Sequence, residues 1–425
     1  MVRMLLCLWL LCPVLVPAQE TPWQPLFNGT DLSQWVQRGG SATYRVADGT
    51  ITGTSVRDRQ NSFLCTRTEY GDFILEMEVR LDHGINSGVQ MRSESRSDYL
   101  DGRVHGYQVE LDPSVQRRWA GGIYDEGRRG WLYPLTRNPQ GQQAFVVGDW
   151  NHLRIEAIGP HIRTWINGVP CARLVDRLTA KGFIALQVHG IGPQESPGKQ
   201  IQWRDLRILT DNPEAYRWPT TPQTVEISHL PNALTAQEER TGWRLLWDGQ
   251  RSPAWIASGG GDVRVDGGTL RLNDVDSLVW PATLHDFELR FDVRFSEATQ
   301  GAFLAYGTSA GAELRYVLHA GTEAPGSLSG LIPAENLSDP TSKALRYSAK
   351  DGWNRVRIVV RDGQVTHWLN QMKVVEYRRD TQLFRALVAA QEEGVASAKK
   401  AAAGARLSFY TRGEVALRSL LLREF

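Results

Sequence analysis

The sequence predicts an all-β protein built from two tandem jelly-roll-like β-sandwiches, on three observations. Short stretches in which apolar and polar residues alternate recur along the chain, the period-2 mark of a half-buried strand. Glycine and tryptophan are plentiful, at 40 and 15 of 425 residues against 5 Met; glycine serves turns and tryptophan fills sheet faces. The whole pattern also runs twice, and repeats of this kind mark duplicated units. WQPLFNGTDLSQW (Trp23 to Trp35) is answered by WRLLWDGQRSPAW (Trp243 to Trp255), and YRVADGTITG (Tyr44 to Gly53) by VRVDGGTLRL (Val263 to Leu272), each of the latter being two short strands around a glycine turn. EYGDFILEMEVRL (Glu69 to Leu81) pairs with LHDFELRFDVRF (Leu284 to Phe295). GDWNHLRIEAIGPHIRTWINGVP (Gly148 to Pro170) pairs with DGWNRVRIVVRDGQVTHWLNQMK (Asp351 to Lys373).

Each copy spans about 180 residues with almost no helical periodicity, the sequence form of an antiparallel sandwich. The expected organisation is residues 1–18 as a signal, 22–210 as a first sandwich, 211–240 as a linker, and 241–425 as a second, divergent sandwich. The linker holds several prolines and the polar run ALTAQEER, read as one short helix in a semi-rigid connection.

The first 18 residues carry Arg3, an apolar run that stops at Pro13, and Val16-Pro17-Ala18 where a signal peptidase reads small residues. A secretory signal cleaved after Ala18 is expected, with a periplasmic or extracellular product. The apolar run is far short of the roughly 20 residues of a membrane span. Cys7 and Cys12 leave with the signal, and Cys65 and Cys171, too few for a metal-thiolate site, are read as two separate buried thiols, with a single disulfide between them in an oxidising compartment as the alternative. With 48 Lys+Arg against 47 Asp+Glu, the net charge of +1 excludes a nucleic-acid binder, which needs a basic excess, and the 41% hydrophobic content excludes disorder.

These ordered motifs resemble the 3-keto-disaccharide hydrolase domain family, whose fold is the concanavalin A-like lectin/glucanase sandwich. LFNGTDLSQW, VADGTITG, DFILEMEVRL, NSGVQMRS (Asn86 to Ser93), HGYQVELDPS (His105 to Ser114), GGIYDEGRRGWL (Gly121 to Leu132), GDWNHLRI, WINGVP and GFIALQVHG match in order. The resemblance covers about residues 22–210, and the second copy looks like a divergent member of the same fold. It implies a secreted glycosidase, a hydrolase acting on a 3-keto-disaccharide or 3-keto-glycoside, with a 3-dehydrogenase acting upstream to make the ketone.

The site residues cluster in the first copy. Gln108, Glu110 and Asp112 alternate along one strand and so share a face, which is either a solvated outer surface or the floor of a sugar cleft. Asn86 and Arg92 before them, and Tyr124, Asp125, Glu126, Arg128, Arg129 and Trp131 after, favour the cleft, because aromatic faces stack on pyranose rings and charged groups bond to hydroxyls. His189 ends the apolar strand of ALQVHG beside a Gly/Pro loop. In the second copy QGAFLAYG stands where NSGVQMRS would be, ELRYVL where YQVELD would be, and LSFYTRG where ALQVHG would be. Scaffold residues survive there while the polar set is lost, as expected if that set serves a site and not the fold.

A C3 ketone acidifies the C2 proton, so cleavage needs a base near C2, a donor for the enolate oxygen and an acid for the leaving oxygen. The expected roles are Glu110 or His189 as base, Arg92 polarising the ketone, and Asn86, Gln108, Asp112, Tyr124, Asp125, Arg128 and Trp131 binding the sugar. His105, Glu110 and Asp112 are candidates for a mixed oxygen/nitrogen site for a divalent cation such as calcium. A carbohydrate-binding or adhesion protein without catalysis is the alternative. The second copy is a candidate for dimerisation or for docking the dehydrogenase, and the sequence carries no further signal for an oligomeric state.

Overall fold

A computed structural model describes residues 22–221, 224–250, 254–309, 312–320, 323–335, 352–392 and 406–425. The signal expected at 1–18 lies outside the described residues. The alternating stretches do form strands, and each half of the chain is a sandwich of two antiparallel sheets.

In the first sandwich the larger sheet is centred on Phe73–Leu81, which is flanked by Asn151–Ile158 and Gln200–Leu209. Phe73, Leu75, Met77, Val79 and Leu81 point inward to the core. Glu76 points outward, where burial alone would raise its pKa, but hydrogen bonds from His152, Arg207 and Arg154 hold it at about 2. Charged alternates on this strand therefore face an ionic lattice on the outer surface. The smaller sheet runs Gly130–Tyr133, Ile123–Glu126, His105–Leu111, Ser87–Glu94, Gly182–Val188, Ser62–Tyr70 and Trp35–Gly39. Its inward residues, Val89, Met91, Tyr107, Val109 and Leu111 among them, join the same core.

The second sandwich repeats this order. Phe287–Phe295 lies between Asn354–Arg361 and Glu414–Glu424 in its larger sheet, and Ala312–Ala320, Gly301–Ser309 and Ser408–Arg412 are neighbours in its smaller one. Among the described residues that smaller sheet has five strands, against seven in the first sandwich. The missing two correspond to Ile123–Glu126 and Gly130–Tyr133.

Two local features depart from the sequence reading. The connection is docked along its length: Arg154 donates to the Tyr216 carbonyl, the Trp218 amide donates to Glu156, and Ile227–Ser228 pairs in parallel with Leu174 and Val175. Its helix, Ala236–Arg240, forms where expected, closed by a capping box between Thr235 and Glu238. A helix the alternating pattern does not announce, Gln382–Glu392, crosses the second sandwich with Phe384 and Val388 in the core, four residues apart on one face. Cys65 and Cys171 are free and buried, as expected, and burial pushes both thiols up to about 12.

Candidate functional site

The outward face of the smaller sheet in the first sandwich carries the site. Pairing of Gly88 with Glu110, Gln90 with Gln108, and Gln108 with Tyr124 places those side chains on one face, in rows that cross the strands. Gln187 pairs with Gly88 from the other side, and Trp131 pairs with Tyr124. One row therefore reads Gln187, Gly88, Glu110, and the next reads Ala185, Gln90, Gln108, Tyr124, Trp131. Asn86, Asp112 and His189 lie just beyond the strand ends at Ser87, Leu111 and Val188.

The polar side chains of this face form a directed chain of hydrogen bonds. Ser93 Oγ donates to Gln90 Oε1 (2.6 Å), Gln90 Nε2 to Gln108 Oε1 (2.7 Å), and Gln108 Nε2 to Glu110 Oε2 (2.9 Å). Asn86 Nδ2 donates to the other carboxylate oxygen at 2.6 Å. Each link of the chain donates toward Glu110, which fixes the carboxyl with both oxygens held. Two glycines make room for the chain. A Cβ on Gly88 would come within 2.5 Å of the Gln108 side chain, and one on Gly106, at φ +143°, within 2.3 Å of Ser93 Oγ.

Glu110 is 5% exposed. Burial, and then the negative charge of Asp112, raise its pKa from 4.5 to about 8, against the opposing pull of the bonds from Asn86 and Gln108. A carboxyl with that acidity exchanges protons near neutral pH, as a general base or acid must. Asp112 itself accepts from the Ser114 amide and from Arg117 Nη1 (3.1 Å). The strands that carry Tyr124 and Trp131 add an aromatic flank: the two rings meet edge to face at 5.3 Å, and Trp119 packs on Trp131 at 4.6 Å.

Gln187 was not singled out in the sequence, where it is one polar residue in an apolar strand. It is 1% exposed, and both its side-chain oxygen and nitrogen lack a partner, as does Asn86 Oδ1. Buried polar atoms are ordinarily paired, so Gln187 and Asn86 hold unspent hydrogen-bonding capacity on the face of Glu110. Gln187 and Glu110 stand two strands apart, roughly 10 Å between backbones, with the Gln108 amide lying in the space that Gly88 leaves. Gln90, Arg117 and Trp119 are further members that sequence reasoning passed over.

Four expected site residues lie elsewhere. Arg92 turns inward and is 1% exposed: its guanidinium donates to the carbonyls of Gly71, Ala157 and Gly159 and to Asp72, clamping one sheet to the other. It does not reach the Glu110 face. Asp125 and Arg128 belong to a buried network on the core side, where Arg128 and Arg129 both bind the Asp125 carboxylate and Arg129 continues to Asp176. His105 stacks on Tyr99 at 4.2 Å, with Nε2 at 3.4 Å from Glu94 and Nδ1 at 2.8 Å from the Arg103 carbonyl. It is not gathered with Glu110 and Asp112, and among the described residues no group of three His, Cys, Asp or Glu side chains is arranged to hold a metal. Asn86, Gln108, Glu110, Tyr124 and Trp131 share the face, Asp112 lies near enough to raise the Glu110 pKa, and His189 is exposed in the loop after Val188.

The second sandwich has no such constellation. Among the described residues, the outward positions of its smaller sheet carry Phe303, Ala305 and Val317 beside an Arg315–Glu313 ion pair to which Tyr410 donates, and no chain of amides leads to a buried carboxyl there.

The first copy is thus a jelly-roll sandwich with a polar, aromatic-flanked face on its smaller sheet. The chain belongs to the 3-keto-alpha-glucoside-1,2-lyase-like domain family, whose sequence profile matches residues 22–209 and again residues 242–416. No curated protein matches the chain. Among solved structures it is similar to a Parabacteroides distasonis protein carrying the name glycosyl hydrolase, at 18% identity, TM-score 0.38, over 46% of this chain and 100% of that one. A second protein of that name and organism is 22% identical, TM-score 0.31, over 44% and 98%. The carbohydrate-binding module CBM66 of Bacillus subtilis is 14% identical, TM-score 0.29, over 40% and 92%.

Proposed function

We propose that the first sandwich cleaves 3-keto-glycosides by elimination across C1 and C2, with Glu110 as the proton acceptor. The observation that carries this reading is Glu110 itself: a buried carboxyl of near-neutral acidity, oriented by Asn86 and Gln108, on the sheet face that also carries the unpaired amide of Gln187 two strands away. In the step, the C2–H electron pair forms the C1=C2 double bond as the C1–O bond breaks. The C2 proton goes to Glu110, and the leaving oxygen is protonated by His189 or by water. Gln187 Nε2 is the donor for the ketone oxygen as enolate character develops, the role first assigned to Arg92. Tyr124 and Trp131 stack on the sugar, and Asp112 with Arg117 binds hydroxyls beside it. Water then adds to C1 and a proton returns to C2, giving free 3-keto-glucose and the aglycone. The product is periplasmic or extracellular, and a 3-dehydrogenase supplies the keto substrate.

Purified protein incubated with a 3-keto-glucoside tests this reading. Release of 3-keto-glucose by the wild type and its loss in Glu110→Gln, with sugar binding retained, is the expected outcome. Sugar binding without turnover in the wild type would make the protein a lectin and overturn the proposal.

A further inference from the structure

A polar cavity of about 200 Å³ lies between the two sandwiches and shares no lining residue with the Glu110 face. Arg137 enters it from the first sandwich, at the end of the short helical turn Leu135–Arg137. Glu226 and Glu238 enter from the connection, and Glu288, Arg290, Arg357, Gln371 and Arg423 from the second sandwich.

All the negative charge in the lining is already taken. Glu288 is bound by Arg357 at 2.5 Å and by Arg423. Glu238 is bound by Arg290 and by the Thr235 amide, and Glu226 by Arg173 and the Thr235 hydroxyl. The buried lining atoms left without a partner are all donors. Among the described residues the Arg137 guanidinium makes no hydrogen bond or ion pair, and Gln371 Nε2, Arg290 Nε and Arg423 Nε are buried without an acceptor. Burial and the neighbouring Arg357 push Arg137 down to about 10 against the opposing pull of Glu288, a carboxylate already shared between Arg357 and Arg423. Arg137 is half-buried with its guanidinium open to the cavity, and a lining whose buried unpartnered atoms are all donors is complementary to an anion.

We propose that this cavity binds a small oxyanion, a carboxylate or phosphate group on a body no larger than a monosaccharide, held by Arg137 and Gln371 between the two sandwiches. The volume is below that of most drug-sized ligand pockets, roughly 300–1,000 Å³, which sets the upper limit on the body. The guanidinium fork suits either oxyanion. The bound group would tie the first sandwich to the second, in addition to the direct contacts between them.

The full chain should be titrated by calorimetry and followed by thermal unfolding with inorganic phosphate, with glucuronate, and with glucose as a neutral control of similar size. Saturable binding of one phosphate or one glucuronate per chain with a rise in Tm of a few degrees, and no effect of glucose, is expected. Whichever anion binds tighter identifies the source of the group. Arg137→Gln should fold with a ligand-free Tm equal to or above the wild type, because an unpaired charge is removed, and should lose the binding. Arg137→Lys keeps the charge without the fork and should bind at least several-fold more weakly. Absence of saturable binding of both anions to the wild type, or wild-type affinity in Arg137→Gln, would overturn the proposal.

Discussion

Replacing Glu110 by glutamine keeps the shape of the side chain, removes its charge and its proton, and gives two measurable effects. The first is on rate. General acid–base groups contribute about 10²–10⁴-fold, so kcat/KM for release of 3-keto-glucose should fall by that factor in Glu110→Gln. In the wild type the rate should rise with pH as the carboxyl ionises, levelling off above about 8. The second effect is on stability, and its sign follows from the direction of the shift. A carboxyl raised from 4.5 to about 8 holds more protons in the folded chain than in the unfolded one between those values. Its stabilising contribution is complete below pH 4.5 and is lost as pH rises through 8. At ~1.4 kcal/mol per pH unit the loss is up to about 5 kcal/mol, and Glu110→Gln lacks it. Denaturation of both proteins between pH 5 and 9 should therefore show the variant gaining on the wild type as pH rises. A variant as active as the wild type, or a stability difference that does not change with pH, would refute the reasoning.

Further outcomes follow from the same geometry. Gln187→Leu removes an amide that has no partner in the free protein, so stability should hold or rise by about 1 kcal/mol, while kcat/KM falls about 10²-fold through loss of an enolate donor; denaturant titration beside steady-state kinetics separates the two. Gly88→Ala pushes against the Gln108 side chain, and should raise the apparent pKa of the rate profile by displacing a donor that holds the Glu110 carboxylate in its charged form. Arg92→Met removes four hydrogen bonds between the sheets and should cost roughly 3 kcal/mol of stability, yet leave kcat/KM of the folded fraction within a few-fold. Trp131→Ala should raise KM far more than it lowers kcat, measured with the same 3-keto-glucoside.

The fold was legible because alternation and repetition are both written at the level of single residues. DFILEMEVRL and DFELRFDVRF carry the same inward apolar set, and each forms the centre of a larger sheet. The site was legible in part, through YQVEL, where Gln108 and Glu110 keep strict alternation and do face outward together. Arg92 was misread by the same rule. It stands two residues beyond Gln90, which predicts the same face, but a register shift between Met91 and Glu94 with Arg92 at φ 46° turns it inward. Asp125 follows Tyr124 directly, and consecutive strand residues point to opposite faces, so one of the pair had to lie on the core side. Gln187 left no local signal, since its meaning comes from a glycine on the neighbouring strand and a carboxylate one strand beyond. The helix Gln382–Glu392 was missed because a single helix in a strand-rich half is outweighed by the alternation around it.

Removal of the C2 proton is the central step, and a 3-keto-glucoside deuterated at C2 tests it most directly. Elimination through Glu110 predicts turnover several-fold slower than with the protiated substrate, and 3-keto-glucose that has lost C2 deuterium to water during early turnover. Equal rates together with full retention of deuterium at C2 would mean that the glycosidic bond breaks without touching C2, and would contradict the account.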